Sequence, residues 1–469
     1  MDSQPTADVS PRSPTGRRRL VTVAATIATG LALTGLIVGA AVSQLNPDAT
    51  VTATPAPPPQ QPATETANPA TPGELTSSAE SVAQQQAAAL LNGDEQGWMA
   101  PVDPKQPQLQ AYYRRLYTNL RGLQVTYVNY RYAGSADLPA RATSGTINLY
   151  LGFCFTDSCE PPRGAVLNYP KITQSVTWAW NGKHWIITKA GPGSQREQIQ
   201  PTPWEDTDLV FAQGRRITVA AARGGKYQPG KLVTAADRAA RHADTYAAAM
   251  RNPQRHYRVY LADERQWKRW FRPSIRSGVI GYALPLQDID TEVVLRMASL
   301  GSPAKFSEVL RHELGHVVTL SGTDRRSDYL YDGDMWLTEG IAEYIAHAPK
   351  PAATSDRRAS TAVVVRSRFR PRTMVFEPLD DKIESGRVTD AYYGLGHFAV
   401  DCMATVYGEA KMLEFFRLHI RGAPRDPGVF DPLGTRGKLD YDQASRRTFG
   451  TGFRTVDKTC VTWIRRQIG

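Results

Sequence analysis

The sequence predicts an α+β protein behind a single N-terminal transmembrane helix, and three observations carry that reading. Residues Leu20 to Ser43 form a run of 24 without one charged side chain. Beyond residue 75, segments with apolar residues at helical spacing alternate with short runs rich in β-branched and aromatic residues. From about residue 390 the pattern is helical to the end. The expectation is an α+β part, then a mixed sheet with helices, closed by a helical C-terminal portion.

Composition narrows the function. A chain of 469 residues has room for two or three domains, and 41% of it is hydrophobic. The net charge is +11, but the arginines are scattered and no helix-turn-helix, zinc-knuckle or RNA-binding signature accompanies them. The charge reads as solvated surface, and no nucleic-acid partner is expected. The four cysteines, Cys154, Cys159, Cys402 and Cys460, form no Cys-x-x-Cys pair, which argues against a cysteine zinc site.

Residues 1–19 are polar and end in Arg17-Arg18-Arg19. The uncharged run 20–43 is long enough, at about 1.5 Å per residue, to cross a hydrocarbon core of roughly 30 Å. The arginines would hold the tail in the cytoplasm and send the rest outside. Ala41-Val42-Ser43 leaves a cleavable signal peptide open, although such peptides have apolar cores of only about 7–15 residues. Residues 44–75, with PAPPPQQPATETANPATP from Pro55, are too rich in Pro, Thr, Ala and Gln to bury a core and read as a disordered stalk.

Residues 76–195 form the first folded part. Ala79, Val82, Ala83, Ala87 and Leu90 recur at helical spacing, as do Tyr113, Leu116 and Leu120. Strand-like runs follow at Val125–Tyr132, Thr146–Phe155 and Ser175–Thr188. In the last, Asn181-Gly182 between aromatic and β-branched runs predicts a hairpin with a tight type I′ turn. Helices followed by this sheet, ending in WNGKHWIITKAGP, resemble the nuclear-transport-factor-2-like cone domains, which implies an accessory packing or ligand-binding module. His184 stands alone on the hairpin and reads as structural or exposed. Cys154 and Cys159 bracket a short loop, and an exported location would permit a disulfide between them.

The pattern changes after a Pro-containing joint at 192–204. Leu209–Ala221, His256–Ala262, Gly278–Leu284 and Thr291–Ser299 read as strands, with helices at Thr234–Met250 and Glu264–Trp270. The next segment is Arg311-His312-Glu313-Leu314-Gly315-His316-Val317-Val318. On a helix, His312 and His316 project from one face one turn apart. Two imidazoles so placed can take two corners of a tetrahedral zinc site, and Glu313 stands where it can deprotonate a metal-activated water. A third ligand on a second helix is available in Trp336-Leu337-Thr338-Glu339-Gly340-Ile341-Ala342-Glu343-Tyr344, with 22 residues between His316 and Glu339. Glu343, one turn further on, could accept a hydrogen bond from the ring nitrogen of a ligand histidine that is not on zinc. Asp324, Asp328, Asp332 and Asp334 lie in a polar loop and read as solvated. The strand at 291–299 is a candidate edge for binding an extended peptide by strand addition.

HELGH followed by WLTEGIAEY resembles the gluzincin metallopeptidases, the thermolysin and aminopeptidase N type, over roughly residues 196–469. The resemblance implies a zincin fold, His312, His316 and Glu339 as zinc ligands, Glu313 as general base and Glu343 as the acid behind a ligand histidine. Tyr392-Tyr393-Gly394-Leu395-Gly396-His397 matches a Tyr-x-x-Gly that supplies a phenol near the metal. Tyr393 fits that spacing, with Tyr392 as the fallback, and could donate to an oxyanion. The Gly-x-Met-Glu-Asn segment that recognises a free amino terminus is absent, which favours an endopeptidase over an aminopeptidase.

The C-terminal helices are expected at Asp390–Tyr407, Glu409–Ile420, Tyr441–Phe449 and Val456–Ile468, with Cys402 and Cys460 free to pair. The expectation is therefore a membrane-anchored, extracytoplasmic zinc metallopeptidase acting on peptides or proteins. The alternatives are a non-catalytic envelope scaffold that keeps the fold, and an enzyme held latent by residues 76–195.

Overall fold

The computed structural model describes residues 73–134, 142–157, 159, 170–193, 202–271, 278–286, 289–323, 333–367, 370–376, 386–422 and 438–468. The chain divides into two units, Met1–Glu65 and Thr66–Gly469. The expected tail, membrane span and most of the stalk lie outside the described residues. Among those described, no helix is long and apolar enough to cross a membrane.

The first elements are helices α1 (Gly73–Asn92), α2 (Glu95–Met99) and α3 (Pro107–Gly122), then four strands: β1 (Tyr127–Tyr132), β2 (Ser144–Cys154), β3 (Lys171–Trp180) and β4 (Trp185–Pro192). The strands form an antiparallel meander in the order β1-β2-β3-β4. Val128, Tyr130, Leu149, Leu151, Val176 and Trp178 are buried together with Ala79, Ala83, Ala87 and Leu90 of α1. Period-2 and period-3.6 patterns thus meet in one core. The Asn-Gly hairpin forms, but its loop has four residues rather than two. Asn181 Oδ1 accepts from the backbone N–H of both Lys183 and His184, each at 3.0 Å, and Gly182 takes a φ of +93°. The asparagine side chain closes the turn itself, and this local bond outcompetes the type I′ geometry.

The second part opens with the short helix α4 (Pro203–Asp206), then β5 (Leu209–Gln213) and β6 (Ile217–Ala222), which replace the single strand expected at 209–221 with a hairpin. Helix α5 (Pro229–Ala247), strand β7 (Tyr257–Ala262), helix α6 (Glu264–Phe271), and strands β8 (Gly281–Leu286) and β9 (Asp290–Arg296) follow. The sheet order is β5-β6-β7-β9-β8, with β6, β7 and β9 parallel and the outer strands antiparallel to their neighbours. Strand β6 is buried along its whole length, as expected for a parallel strand covered on both faces. Val219, Val259 and Val293 face α5 and the helices beyond it, whereas Ala220, Tyr260 and Val294 join Trp204, Trp267 and the first sheet's core. That second core runs across the expected joint near 192–204.

The expectation for 291–299 needs correction. Strand β9 ends at Arg296 and lies inside the sheet, between β7 and β8. Its residues from Asp290 to Leu295 are all buried, which suits an interior strand. The edge is β8.

A cluster of buried charge sits where the two sheets meet. Arg258 is ion-paired to Asp290, and its Nε lies 3.3 Å from Glu292 Oε1, which also accepts from Tyr260 at 3.1 Å. The guanidinium lies 4.6 Å from the ring centre of Phe155. Burial pushes Glu292 up to about 7 from its ordinary 4.5; Arg258 opposes this and Asp290 adds to it. Between those values the folded chain holds a proton that the unfolded chain has released, so stability falls as pH rises from about 4.5 to about 7. Glu292→Gln keeps the acceptor for Tyr260 and removes the unbalanced charge. It is expected to stabilise the fold at pH 8 by on the order of 1–3 kcal/mol and to match wild type near pH 4.5. Urea unfolding at the two pH values checks this, and a destabilised variant at pH 8 would refute it.

Helix α7 (Pro303–Leu320) follows β9, and α8 (Met335–His347), α9 (Arg358–Arg366), α10 (Gly386–Tyr407), α11 (Glu409–Phe416), α12 (Tyr441–Phe449) and α13 (Phe453–Ile468) complete the chain. The helix expected at 409–420 changes to a π-helical turn at Arg417–Arg421. Cys402 of α10 is bonded to Cys460 of α13, and Cys154 to Cys159. The result is a mixed α+β body with a helical C-terminal part, an arrangement consistent with a zincin fold.

Candidate metal centre

Helix α7 starts where Ser302 accepts from the Lys305 N–H at 3.2 Å and Pro303 occupies the first turn, where its missing N–H is harmless. Its last carbonyls are also taken. Asn252 Nδ2 donates to Val318 at 2.9 Å, and Arg421 Nη1 donates to Thr319 and Ser321 at 3.0 and 2.8 Å. Both ends being satisfied, the helix presents His312 and His316 from a buried position against α8.

Helix α8 is placed by close backbone contact. A Cβ at Gly340 would collide with the carbonyl of Gly396 on α10, so the two helices cross with only hydrogen atoms between them. Gly340→Ala should lower stability by about 1–3 kcal/mol and weaken zinc binding, because Glu339 is its neighbour. Urea unfolding and zinc titration would show this; an unchanged midpoint would refute it.

The crossing brings Glu339 beneath the two histidines. His312 Nε2 and His316 Nε2 are 3.1 Å apart, and each lies 3.2 Å from Glu339 Oε2. The three ligand atoms make a near-equilateral triangle. Tetrahedral zinc with bonds of about 2.0–2.1 Å separates its ligands by about 3.3–3.4 Å, so the triangle has the right size for one zinc ion with its fourth position open. Two imidazole nitrogens and one carboxylate oxygen gathered on one point are also the donor set that zinc takes in sites with an open fourth position. This is a zinc-dependent hydrolase centre.

No family model matches the chain, and no curated protein matches it.

The surrounding groups tune the ligands. Glu343 Oε1 lies 3.0 Å from His312 Nδ1, which directs the other ring nitrogen at the metal position. The same oxygen lies 2.9 Å from Arg357 Nη2. Burial would raise Glu343, but Arg357 and His312 hold it well below the usual carboxylate range. Arg357 also pairs through Nη1 with Asp390 at 2.6 Å, and its guanidinium lies 4.8 Å from the ring centre of Tyr393. Nothing in the sequence marks Arg357, since it belongs to neither motif and meets Glu343 only through the fold.

Glu313 is buried beside the triangle, facing β8. Its carboxylate accepts from the backbone N–H of Ala283, and burial raises its pKa, with the two histidines opposing. A Cβ at Gly281 would collide with that carboxylate, so the edge strand approaches the acid as closely as a backbone can. Tyr393 is half-buried, with its ring centre 5.8 Å from that of His312. Burial, and then the Glu339 charge, push the phenol well above its ordinary value, so it stays protonated. Tyr392 points elsewhere, packing edge-on to Phe376 at 5.3 Å.

Asp334 is not a solvated acid. It accepts from His419 Nε2 at 2.8 Å and from the Tyr441 hydroxyl, which itself accepts from Trp336 at 3.0 Å. These bonds fix the start of α8. Asp324, Asp328 and Asp332 lie outside the described residues. His184 is exposed on its hairpin, 3.1 Å from Asn181 Nδ2.

Proposed function

We propose that this chain is a membrane-anchored, extracytoplasmic zinc metallopeptidase that cleaves within peptide chains. The observation that carries the reading is the ligand triangle of His312, His316 and Glu339, with Glu313 between it and the open edge of a sheet. Zinc, when bound there, supplies a Lewis acid that polarises the scissile carbonyl and acidifies water.

The chain's own groups do the rest. Glu313 takes the proton of the attacking water and delivers it to the leaving amine; its burial favours both duties by bringing its pKa closer to neutrality. Tyr393 donates to the oxyanion of the tetrahedral intermediate. Glu343 holds the His312 ring in register, and Arg357 keeps Glu343 ionised. Among the described residues no strand pairs with the outer side of β8, so its backbone is free to align an extended substrate. An aligned internal segment suits an endopeptidase.

The uncharged run 20–43 behind Arg17-Arg18-Arg19 supports the anchor, and 44–75 the stalk. The Cys402–Cys460 pairing supports an oxidising location outside the cytoplasm. Three helices against a four-stranded meander support a nuclear-transport-factor-2-like accessory module at 76–195, with the peptidase at 196–469.

The purified chain is tested with an unstructured protein substrate and mass spectrometry of the products. Internal cleavages are expected, lost with a zinc chelator and restored by zinc. A zinc-loaded chain that cleaves nothing would overturn the reading in favour of a scaffold, and release of single N-terminal residues would overturn the endopeptidase assignment.

A further inference from the structure

Behind the ligand triangle, the crossing of α8 and α10 assembles a second group of metal-ligating side chains. Glu343 and His347 follow one another by one turn on α8, and His397 stands one turn past Tyr393 on α10. Each offers a ligand atom, and these atoms lie within 4.8 Å of one another. The rings of His347 and His397 have centres 5.0 Å apart.

Two observations separate this cluster from an ordinary packed histidine pair. His397 is 0% exposed, yet neither of its ring nitrogens has a hydrogen-bond partner among the described residues. A neutral imidazole carries one donor and one acceptor, and leaving either unmet in a protein interior costs about 1–3 kcal/mol. Glu343 repeats the pattern with its two oxygens. Oε1 serves His312 and Arg357, whereas Oε2 is buried and without a hydrogen-bond partner among the described residues, 3.7 Å from His347 Nδ1. An imidazole with both nitrogens unmet and an unmet carboxylate oxygen therefore converge beside His347, whose Nδ1 lies 2.9 Å from the Glu343 backbone carbonyl, so that its Nε2 is the atom it would offer a metal.

We propose that Glu343, His347 and His397 bind a second divalent cation, next to the zinc position and linked to it through Glu343, whose Oε1 meets the zinc ligand His312. Two imidazoles and one carboxylate select a borderline transition ion such as Zn²⁺ or Co²⁺ over Ca²⁺ or Mg²⁺, which want oxygen ligands. The local charge admits it. Glu313, Glu339, Glu343 and Asp390 bring four acids to the neighbourhood of the two clusters, where the guanidinium of Arg357 pairs with Glu343 and Asp390. His347 is only partly buried and gives the ion a route from solvent. An ion there would pin α8 to α10 one turn beyond the Gly340–Gly396 crossing and fix the carboxylate that orients His312.

The site is independent of whether the chain cleaves peptides, and the test is metal content. The full chain is stripped with a chelator, saturated with zinc, desalted and assayed by mass spectrometry, beside His316→Ala, His347→Ala and the double variant. Two zinc ions per chain are expected in wild type, one in each single variant and none in the double variant. Wild type saturating at one ion, lost in His316→Ala, would overturn the second site and leave the first intact, as would His347→Ala retaining two. Thermal unfolding of His347→Ala shows that the variant folds. Should it not, anomalous scattering at the zinc edge from wild-type crystals decides, with two peaks supporting the site and one refuting it.

Discussion

Glu313→Gln is expected to lower kcat/KM for peptide hydrolysis by about 10²–10⁴-fold, or roughly 3–5 kcal/mol of transition-state stabilisation, while zinc stays bound. The amide has the shape of the carboxylate and can still accept from the Ala283 N–H, so the loss reports the missing base and not a collapsed site. The three ligand residues are untouched. The pH profile of wild type carries the same information. Burial raises the Glu313 carboxyl, and the group works as a base, so activity should fall on the acid side at a pH above the ordinary glutamate value. Steady-state kinetics with a fluorogenic peptide and zinc analysis of the same sample measure both quantities. Zinc-replete Glu313→Gln that retained more than about a tenth of wild-type activity would sink the general-base assignment.

Arg357→Ala should have the second large effect, and a different signature. Glu343 is almost entirely buried and takes contacts from Arg357 and His312 on one oxygen. Removing the guanidinium strands that carboxylate and also frees Asp390, and breaking a buried pair in this way typically costs about 3–5 kcal/mol. With Glu343 no longer held ionised, the His312 ring loses its fixed orientation, and zinc affinity should drop about 10–100-fold. Arg357→Lys can restore one ion pair but not the two-pronged contact, so it should recover stability more than zinc affinity. Competition with a zinc-selective dye and urea unfolding separate the two. An Arg357→Ala protein with wild-type zinc affinity would show that the arginine serves packing only.

The contrast between these two residues shows how far the sequence could be read. Glu313 was legible because its place follows from helical spacing, which sets it directly after the first of two histidines that share a face. Glu339 and Glu343 were legible for the same reason, through the one-turn spacing on α8. Arg357 was not, because it lies at the start of a helix the sequence pattern did not reveal, and meets its partners only when α8, α9 and α10 pack. The edge strand was misplaced for a related reason. Apolar runs identify strands, but Gly281–Leu286 and Asp290–Arg296 are adjacent in sequence and antiparallel, and only the pairing of β9 with β7 decides which is outermost. The hairpin was found and its turn was not, since Asn181 can close a loop with its own side chain as readily as with a type I′ backbone. His347 carried no motif, and His397 stood only at the end of the segment that holds Tyr393. Their meeting depends on two glycines that let the helix axes approach.

The bond between Cys402 and Cys460 has a consequence in time. Helix α10 carries Tyr393 and His397, and it is fastened to α13, which follows both histidines, Glu339 and Tyr393 in the chain. A polypeptide still being made therefore has both histidines, Glu339 and Tyr393 long before it has the helix that locks α10 in place. The bond closes a loop of 58 residues and, by the chain-entropy account, is worth about 4 kcal/mol. Consolidation of the centre is thus tied to helix α13 and to the oxidation of Cys460, which leaves α10 unfastened until that later helix has been made and has docked.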